Sequence, residues 1–244
     1  MMQKFIIPKI NTIPSKAKIQ GQDAKHISKV LRLTKGDRIE ITNGEGKDFT
    51  AIITFISLGN IELDIIDEYD SLTESPIDIT LCSGMLKDKK MDLVIKHLTQ
   101  LGIQKWIPFF CERSIPTPDM KRMEKRIKRW KIIARESLKQ CRRSRLPQIS
   151  KPLSFEKLLN QSASCDLKIA FWEKATQRLD TLEKNPSNLK IIILIGPEGG
   201  FSETEMIVAK KKGFLSYSLG PRILRAETAS ISSCTLVQHI LGDL

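Results

Sequence analysis

The sequence predicts an α/β chain in which a small β-barrel precedes a mostly parallel sheet with helices on both faces. Three observations predict it. Residues 1 to about 70 break into short apolar segments bounded by Gly, Asn or Asp. Residues 71–76, SLTESP, are polar and carry a helix-breaking proline. Beyond them, strand-like apolar runs alternate with helical patterns, the order that builds a parallel sheet between helices.

In the first part, strands are expected at Lys4–Ile10, Ala17–Gln20, Arg38–Thr42, Phe49–Ser57 and Ile61–Ile66, with one short helix from about Asp23 to Leu33. Asn43-Gly44 and Gly59-Asn60 supply the residue types that tight reversals demand. A sheet this small curls or closes to bury its apolar face, and serves as a binding platform. The polar SLTESP segment sets the boundary, giving units of residues 1–72 and 73–244.

In the second part, Ile77–Cys82 reads as a strand. Lys90–Leu101 reads as a helix with Met91, Val94, Ile95, Leu98 and Leu101 on one side and Gly102 as its stop. A strand at Trp106–Phe110 leads to a long helix from about Pro118 to Arg145. Further strands follow at Leu167–Trp172, Leu189–Ile195 and Phe214–Leu219, and a last helix at Glu227–Leu241 is apolar on much of its circumference.

The long helix repeats Met120, Met123, Ile127, Trp130, Ala134, Leu138 and Cys141 at spacings of three and four, one stripe for packing on the sheet. Its other faces carry Lys121, Arg122, Lys125, Arg126, Lys128, Arg129, Lys131, Arg135, Lys139, Arg142, Arg143 and Arg145 against only Glu124 and Glu136. Charge runs are ordinarily just solvated. Here the run holds most of a formal charge of +12, from 40 Lys and Arg against 28 Asp and Glu, and a phosphate backbone would relieve its self-repulsion. Such contacts hold a nucleic acid without reading its sequence.

Other function classes are disfavoured. Five widely spaced cysteines without a CxxC pair match neither a disulfide framework nor a zinc site, and His26, His97 and His239 do not cluster, so no metal is expected. The N-terminus lacks a sustained apolar core with a cleavage site, and no apolar stretch reaches the roughly 18 residues of a membrane span. A soluble cytoplasmic protein is expected.

The aliphatic run Leu189–Ile195 ends in Gly196-Pro197-Glu198-Gly199-Gly200-Phe201, after which Ser202 and Glu205 have the spacing of a capping box. A loop there stands at the carboxyl end of a strand, where open α/β sheets bind ligands. It lacks the Gly-Lys-Ser/Thr ending of a phosphate-binding P-loop and the G-x-G-x-x-G spacing of a dinucleotide fold, which leaves a sharp structural turn or a different ligand. A second irregular segment, Leu219-Gly220-Pro221-Arg222-Ile223-Leu224-Arg225-Ala226-Glu227-Thr228-Ala229, again follows a strand and precedes a helix, so two adjacent strand ends are expected to open into loops. Freed backbone groups there can bond an adenine edge, with Leu219, Ile223 and Leu224 as apolar walls.

With IGPEGGFSETE (residues 195–205) and LGPRILRAETA (residues 219–229), the chain resembles the RsmE family of ribosomal RNA uridine-N3 methyltransferases, within the SPOUT superfamily. HISKVLRLTKGD (residues 26–37), CERSI (residues 111–115) and the Arg-Trp, Gln140 and Arg143 pattern of the basic helix extend the resemblance over nearly the whole chain. It implies a PUA-like RNA-binding barrel, a SPOUT domain with a trefoil knot, a homodimer and S-adenosylmethionine as cofactor, acting on 16S rRNA of the small ribosomal subunit. Carried onto matching positions, Ile195, Gly196, Gly200, Leu219, Leu224 and Thr228 are implied as cofactor contacts; Arg32, Arg113, Arg142 and Arg143 are the candidates for holding RNA. Gln100 departs from the family, which usually has Glu there.

For N3 methylation, the uracil N3 proton must leave or the developing imidate must be stabilised. Arg225 is the candidate for stabilising the uracil oxygens, and Glu227 and Glu198 are candidate bases or orienters of that arginine. The alternatives are a non-catalytic RNA-binding protein and a SPOUT relative acting on transfer RNA.

Overall fold

A computed structural model describes residues 4–7, 10, 15–57, 59–87, 89–115, 119–179 and 189–244. Two compact units emerge, Met1–Glu74 with Leu138–Leu146, and Ser75–Ser137 with Pro147–Leu244.

The first unit is a five-stranded sheet of β1 (Lys4–Ile6), β2 (Ser15–Gln20), β3 (Arg38–Thr42), β4 (Lys47–Ser57) and β5 (Asn60–Asp70), in the order β1-β3-β4-β5-β2. Only β1 and β3 pair in parallel; the other ladders are antiparallel. Burial alternates along the strands, placing Ile39, Ile41, Ala51, Ile53, Ile61 and Leu63 inside, the period-2 signature of a half-buried sheet. Phe5 of β1 and Ile19 of β2 come from opposite edges of the ladder and share one apolar cluster, so the sheet curls around its core. The strand expected over Lys4–Ile10 is described to Ile6 in β1; Pro8 and Lys9 lie outside the described residues, as does Pro118. The short helix is shorter than expected: α1 (Gln22–Lys25) runs into one π-helical turn, His26–Val30, and Arg32 takes a left-handed φ of 54°.

The second unit is a seven-stranded sheet in which every pairing is parallel. It contains β6 (Asp78–Gly84), β7 (Lys105–Phe110), β8 (Gln148–Ile149), β9 (Leu153–Ser154), β10 (Leu167–Phe171), β11 (Lys190–Ile195) and β12 (Leu215–Tyr217). The order is β12-β10-β11-β6-β7-β8, with β9 also on β7. Side chains alternate between two cores. Ile79, Leu81, Ile191 and Ile193 face α2 (Lys89–Gln100), α3 (Met120–Cys141) and α6 (Ala226–Leu241); Ile107, Phe109, Ile192 and Leu194 face α4 (Phe155–Gln161) and α5 (Glu203–Lys211). Both faces are therefore covered, as the aliphatic strands require.

Three expectations change. The strands preceding the two irregular loops, β11 and β12, are not neighbours, because β10 lies between them. The basic helix stops at Cys141: Arg142 adopts φ 63°, a left-handed residue that ends a helix, so Arg142, Arg143 and Arg145 lie beyond it. Met120, at the head of the anticipated stripe, is 80% exposed, while Trp130 and Ala134 are buried. The pieces not foreseen include β8 and β9, two residues each and too short for any periodicity, and α4, a helix of only seven residues.

The segment after α3 closes on the first unit through buried charge. The Lys4 ammonium donates to Asp48 Oδ2 at 2.7 Å, the Arg142 carbonyl at 2.8 Å and Ser144 Oγ at 2.9 Å, which uses all three of its N–H groups. Ser144 Oγ also bonds the other Asp48 oxygen. Removing one member strands a buried charge. Asp48→Ala should destabilise the first unit by about 3–5 kcal/mol, and Lys4→Met in the same chain should recover much of that loss. Urea denaturation followed by circular dichroism measures both.

Candidate active site

β11 carries its chain, buried on both faces, to the carboxyl end of the sheet, where Gly196–Phe201 turns at once. The Gly200 amide donates to the Pro197 carbonyl at 2.9 Å. Gly200 sits at φ +67°, where a Cβ would meet the Glu173 carboxylate at 2.9 Å, so both dihedral and space favour glycine. Gly84, closing β6, approaches the same turn so tightly that a Cβ would stand 2.5 Å from the Pro197 nitrogen. Ser202 and Glu205 form the expected capping box on α5, and Glu205 Oε1 also accepts the Glu112 amide at 2.9 Å. Arg113 reaches from that neighbouring segment to donate to the Gly199 carbonyl at 3.0 Å.

On the other side, the Ser218 amide donates to the Gln177 carbonyl at 2.8 Å and Ser218 Oγ accepts the Gly220 amide at 3.1 Å, which fixes the start of the second loop. That loop ends at Arg225, the residue before α6, whose side chain makes no cap. Between the two loops, Trp172 and Glu173 follow directly on the end of β10. Together these segments enclose a cavity of about 550 Å³, within the range of small-molecule sites.

Of the residues expected to serve a ligand or the chemistry, Ile195, Gly196, Glu198, Gly200, Leu219, Leu224 and Arg225 line this cavity. Thr228 does not; it is exposed on α6. Glu227 is buried just behind the lining. Arg113 braces the glycine loop. Arg32 and Arg142 belong to the first unit, where Arg142 pairs with Glu40 at 2.6 Å. Arg143 is 2% exposed and donates from Nε and Nη2 to Glu74 at 3.3 and 2.7 Å, while the Ser144 and Arg145 amides bond the other Glu74 oxygen. A guanidinium so placed organises backbone and presents no donor to a phosphate.

Sequence reasoning missed Lys90, Trp172 and Glu173, all on the cavity wall. Lys90 carried a faint signal, being in the first turn of the helix that follows a central strand; Trp172 and Glu173 carried none. Lys90 is also the electrostatic hub. Its Nζ donates to Glu198 Oε1 at 3.1 Å and stands 3.5 Å from Glu227 Oε2. The two carboxylates thus face Lys90, and Arg225 makes no ion pair among the described residues. The hydrogen bond and charge of Glu198, with smaller help from Glu227, raise the Lys90 pKa above its ordinary value against the opposing effect of burial. For Glu198 burial acts upward, but the Lys90 hydrogen bond, the amides of Glu198 and Lys87 and the Lys90 charge outweigh it, and the carboxyl sits below its usual range. Its contribution is therefore present above the unfolded carboxylate pKa and lost as pH falls through the lowered folded value. Among the described residues no three His, Cys, Asp or Glu side chains gather to hold a metal.

The chain matches the family model of an RNA methyltransferase domain over residues 73–238 and that of an RNA methyltransferase PUA domain over residues 19–66. It is 33% identical to the ribosomal RNA small subunit methyltransferase E of Buchnera aphidicola subsp. Schizaphis graminum, over 90% of this chain and 88% of that protein. The protein of the same description from Bacillus subtilis is 28% identical, over 91% and 89% of the two chains. The fold is similar to the crystal structure of a ribosomal RNA small subunit methyltransferase E from Neisseria gonorrhoeae bound to S-adenosyl methionine, with a TM-score of 0.89 and 27% identity over 100% of both chains.

The hub makes a direct prediction. In Lys90→Met the Glu198 carboxyl should titrate at higher pH than in the wild type, read by carbon NMR of glutamate-labelled protein. An unchanged midpoint would mean that the backbone amides alone hold it down.

Proposed function

Because the chain belongs to the ribosomal RNA small subunit methyltransferase E family, we propose that it transfers the methyl group of S-adenosylmethionine to N3 of a uridine in 16S rRNA. The observation that carries this reading is the cavity formed where β10, β11 and β12 end together, with glycine-rich backbone on one wall and Leu219 and Leu224 on the other. Irregular backbone offers N–H and C=O groups to an adenine edge, and the apolar side chains sandwich its faces. Ile195, Gly196, Gly200, Leu219 and Leu224 are the cofactor residues of this proposal. Thr228, exposed on α6, enters it only through the family resemblance.

Arg225 stabilises the imidate that forms as the N3 proton leaves; it lines the cavity, is exposed and makes no ion pair among the described residues. Glu198 on the cavity wall and Glu227 behind it are the candidate proton acceptors of this proposal. RNA is held by the exposed cations of α3, Lys121, Arg122, Lys125, Lys128 and Lys131, with Arg32, Arg113 and Arg142. Arg143 leaves the RNA set, because Glu74 occupies it. The trefoil knot and a cytoplasmic homodimer belong to the same reading. Leu236, 38% exposed on α6, is the kind of side chain a second copy would cover. No helix among the described residues is long and apolar enough to cross a membrane.

Calorimetry with S-adenosylmethionine tests the cavity, and nucleoside mass spectrometry of ribosomal RNA from cells with and without the gene tests the product. A protein that takes up no cofactor, or whose loss leaves 3-methyluridine unchanged, has another function. Arg225→Ala should lower single-turnover methylation on the order of 10²-fold, with cofactor affinity nearly unchanged. RNA affinity should fall on the order of a hundredfold between roughly 50 and 200 mM salt, the loss expected for about five phosphate contacts.

A further inference from the structure

Along the edge that holds N3, uracil presents an acceptor oxygen, the N3–H donor and a second acceptor oxygen. A site that ionises N3 must answer both oxygens, because the released charge spreads onto them. Arg225 answers one.

We propose that Lys90 is a further catalytic residue, its ammonium donating to the second uracil oxygen and holding the charge released at N3, with Glu198 and Glu227 as its positioning groups. This deepens the reading of the site as a uridine-N3 methyltransferase and rests on it.

Four observations carry the assignment. Lys90 lines the cavity from the start of α2, beside the glycine loop that carries Glu198. Its Nζ makes one hydrogen bond among the described residues, to Glu198 at 3.1 Å, which leaves donors for a ligand. It stands 3.5 Å from Glu227 Oε2, and Glu227 lies in the first turn of α6, two residues after Arg225, so both cations attend the same end of one helix. Finally, Glu227 is 8% exposed and its Oε2 accepts no hydrogen bond among the described residues, so the ion pair with Lys90 is its compensation. The raised pKa of Lys90 keeps it an ammonium at neutral pH and removes it as a base. Other charged groups facing the cavity are Arg222 and Glu173.

The step balances as follows. The N3–H bond breaks, and its proton passes by way of the Glu198 carboxylate, which lines the cavity, to water. The electron pair left on N3 forms the new bond to the sulfonium methyl carbon. The sulfur–methyl bond breaks with its pair returning to sulfur, giving 3-methyluridine, S-adenosylhomocysteine and one proton. Cytosine presents an amino donor in place of one oxygen and has no N3 proton, so one of the two cations would face a donor. The pair therefore also selects uracil over cytosine.

The test compares wild type, Lys90→Met and Lys90→Arg by single-turnover methylation of a 16S rRNA fragment from roughly pH 6 to 9, with saturating cofactor. Lys90→Met should lower the neutral-pH rate on the order of 10²-fold, and shift the rise of rate with pH upward by about one to two units. Its cofactor affinity by calorimetry should stay within about threefold of wild type, and Lys90→Arg should recover much of the rate and the profile. A merely structural lysine would not move the pH profile. Cofactor affinity that falls in step with the rate would make Lys90 a cofactor residue, and an unshifted profile would deny it contact with the base; either overturns the assignment. Wild type that binds cofactor and forms no 3-methyluridine would overturn the underlying function as well.

Discussion

The site depends on one constraint, that every strand of the second sheet runs the same way. Parallel strands cannot be joined by tight hairpins, so each connection leaves the sheet, crosses a face and returns. The carboxyl ends of β6, β10, β11 and β12 therefore share one edge, and irregular backbone collects there. Elsewhere the ladders satisfy the strands and the helices cover both faces. At that edge peptide groups outside the ladders can meet a ligand without side-chain help. The close approach of Gly84 to Pro197 and the left-handed Gly200 are the local conditions that let the backbone bend there.

Much of this was legible in the chain. The aliphatic run before Gly196 announced a buried strand, and the Ser202-Glu205 spacing announced the start of α5, because both are short-range rules of burial and capping. The position of β10 between β11 and β12 was not legible, since strand order is set by the packing of crossovers and leaves no local mark. Lys90 escaped for a related reason. It is one lysine among many until the fold brings it within 3.1 Å of Glu198 and 3.5 Å of Glu227, residues more than a hundred positions away. Conversely, Arg143 was expected to hold RNA because it stands in the basic run and in the segment that carries the family resemblance. The left-handed turn at Arg142 instead carries it inward onto Glu74.

The basic excess thus divides into two kinds of cation. Lys4 and Arg143 are buried, saturated by Asp48 and Glu74, and hold the segment after α3 in place within the first unit. The exposed lysines of α3 have few opposing charges on their own helix, and its Arg129 pairs instead with Asp92 of α2. Net charge alone does not separate these roles. Burial does, because a desolvated guanidinium bonded twice to one carboxylate is costly to release, whereas an exposed lysine exchanges counterions freely.

Cations beside a cavity proposed for a sulfonium cofactor pose an electrostatic problem, since like charges would exclude it. The lining charges resolve this by balance. Lys90, Arg222 and Arg225 are set against Glu173 and Glu198 on the wall and Glu227 behind it, three of each sign. A site of near-zero net charge imposes little long-range field on an entering cation, while single groups still act strongly at hydrogen-bond distance. Local donors can then stabilise charge that appears on the base, and the same groups do not repel the methyl donor. Each carboxylate of the set thus offsets one cation, and the pairing of Lys90 with Glu198 and Glu227 holds the ammonium in place without adding net charge to the site.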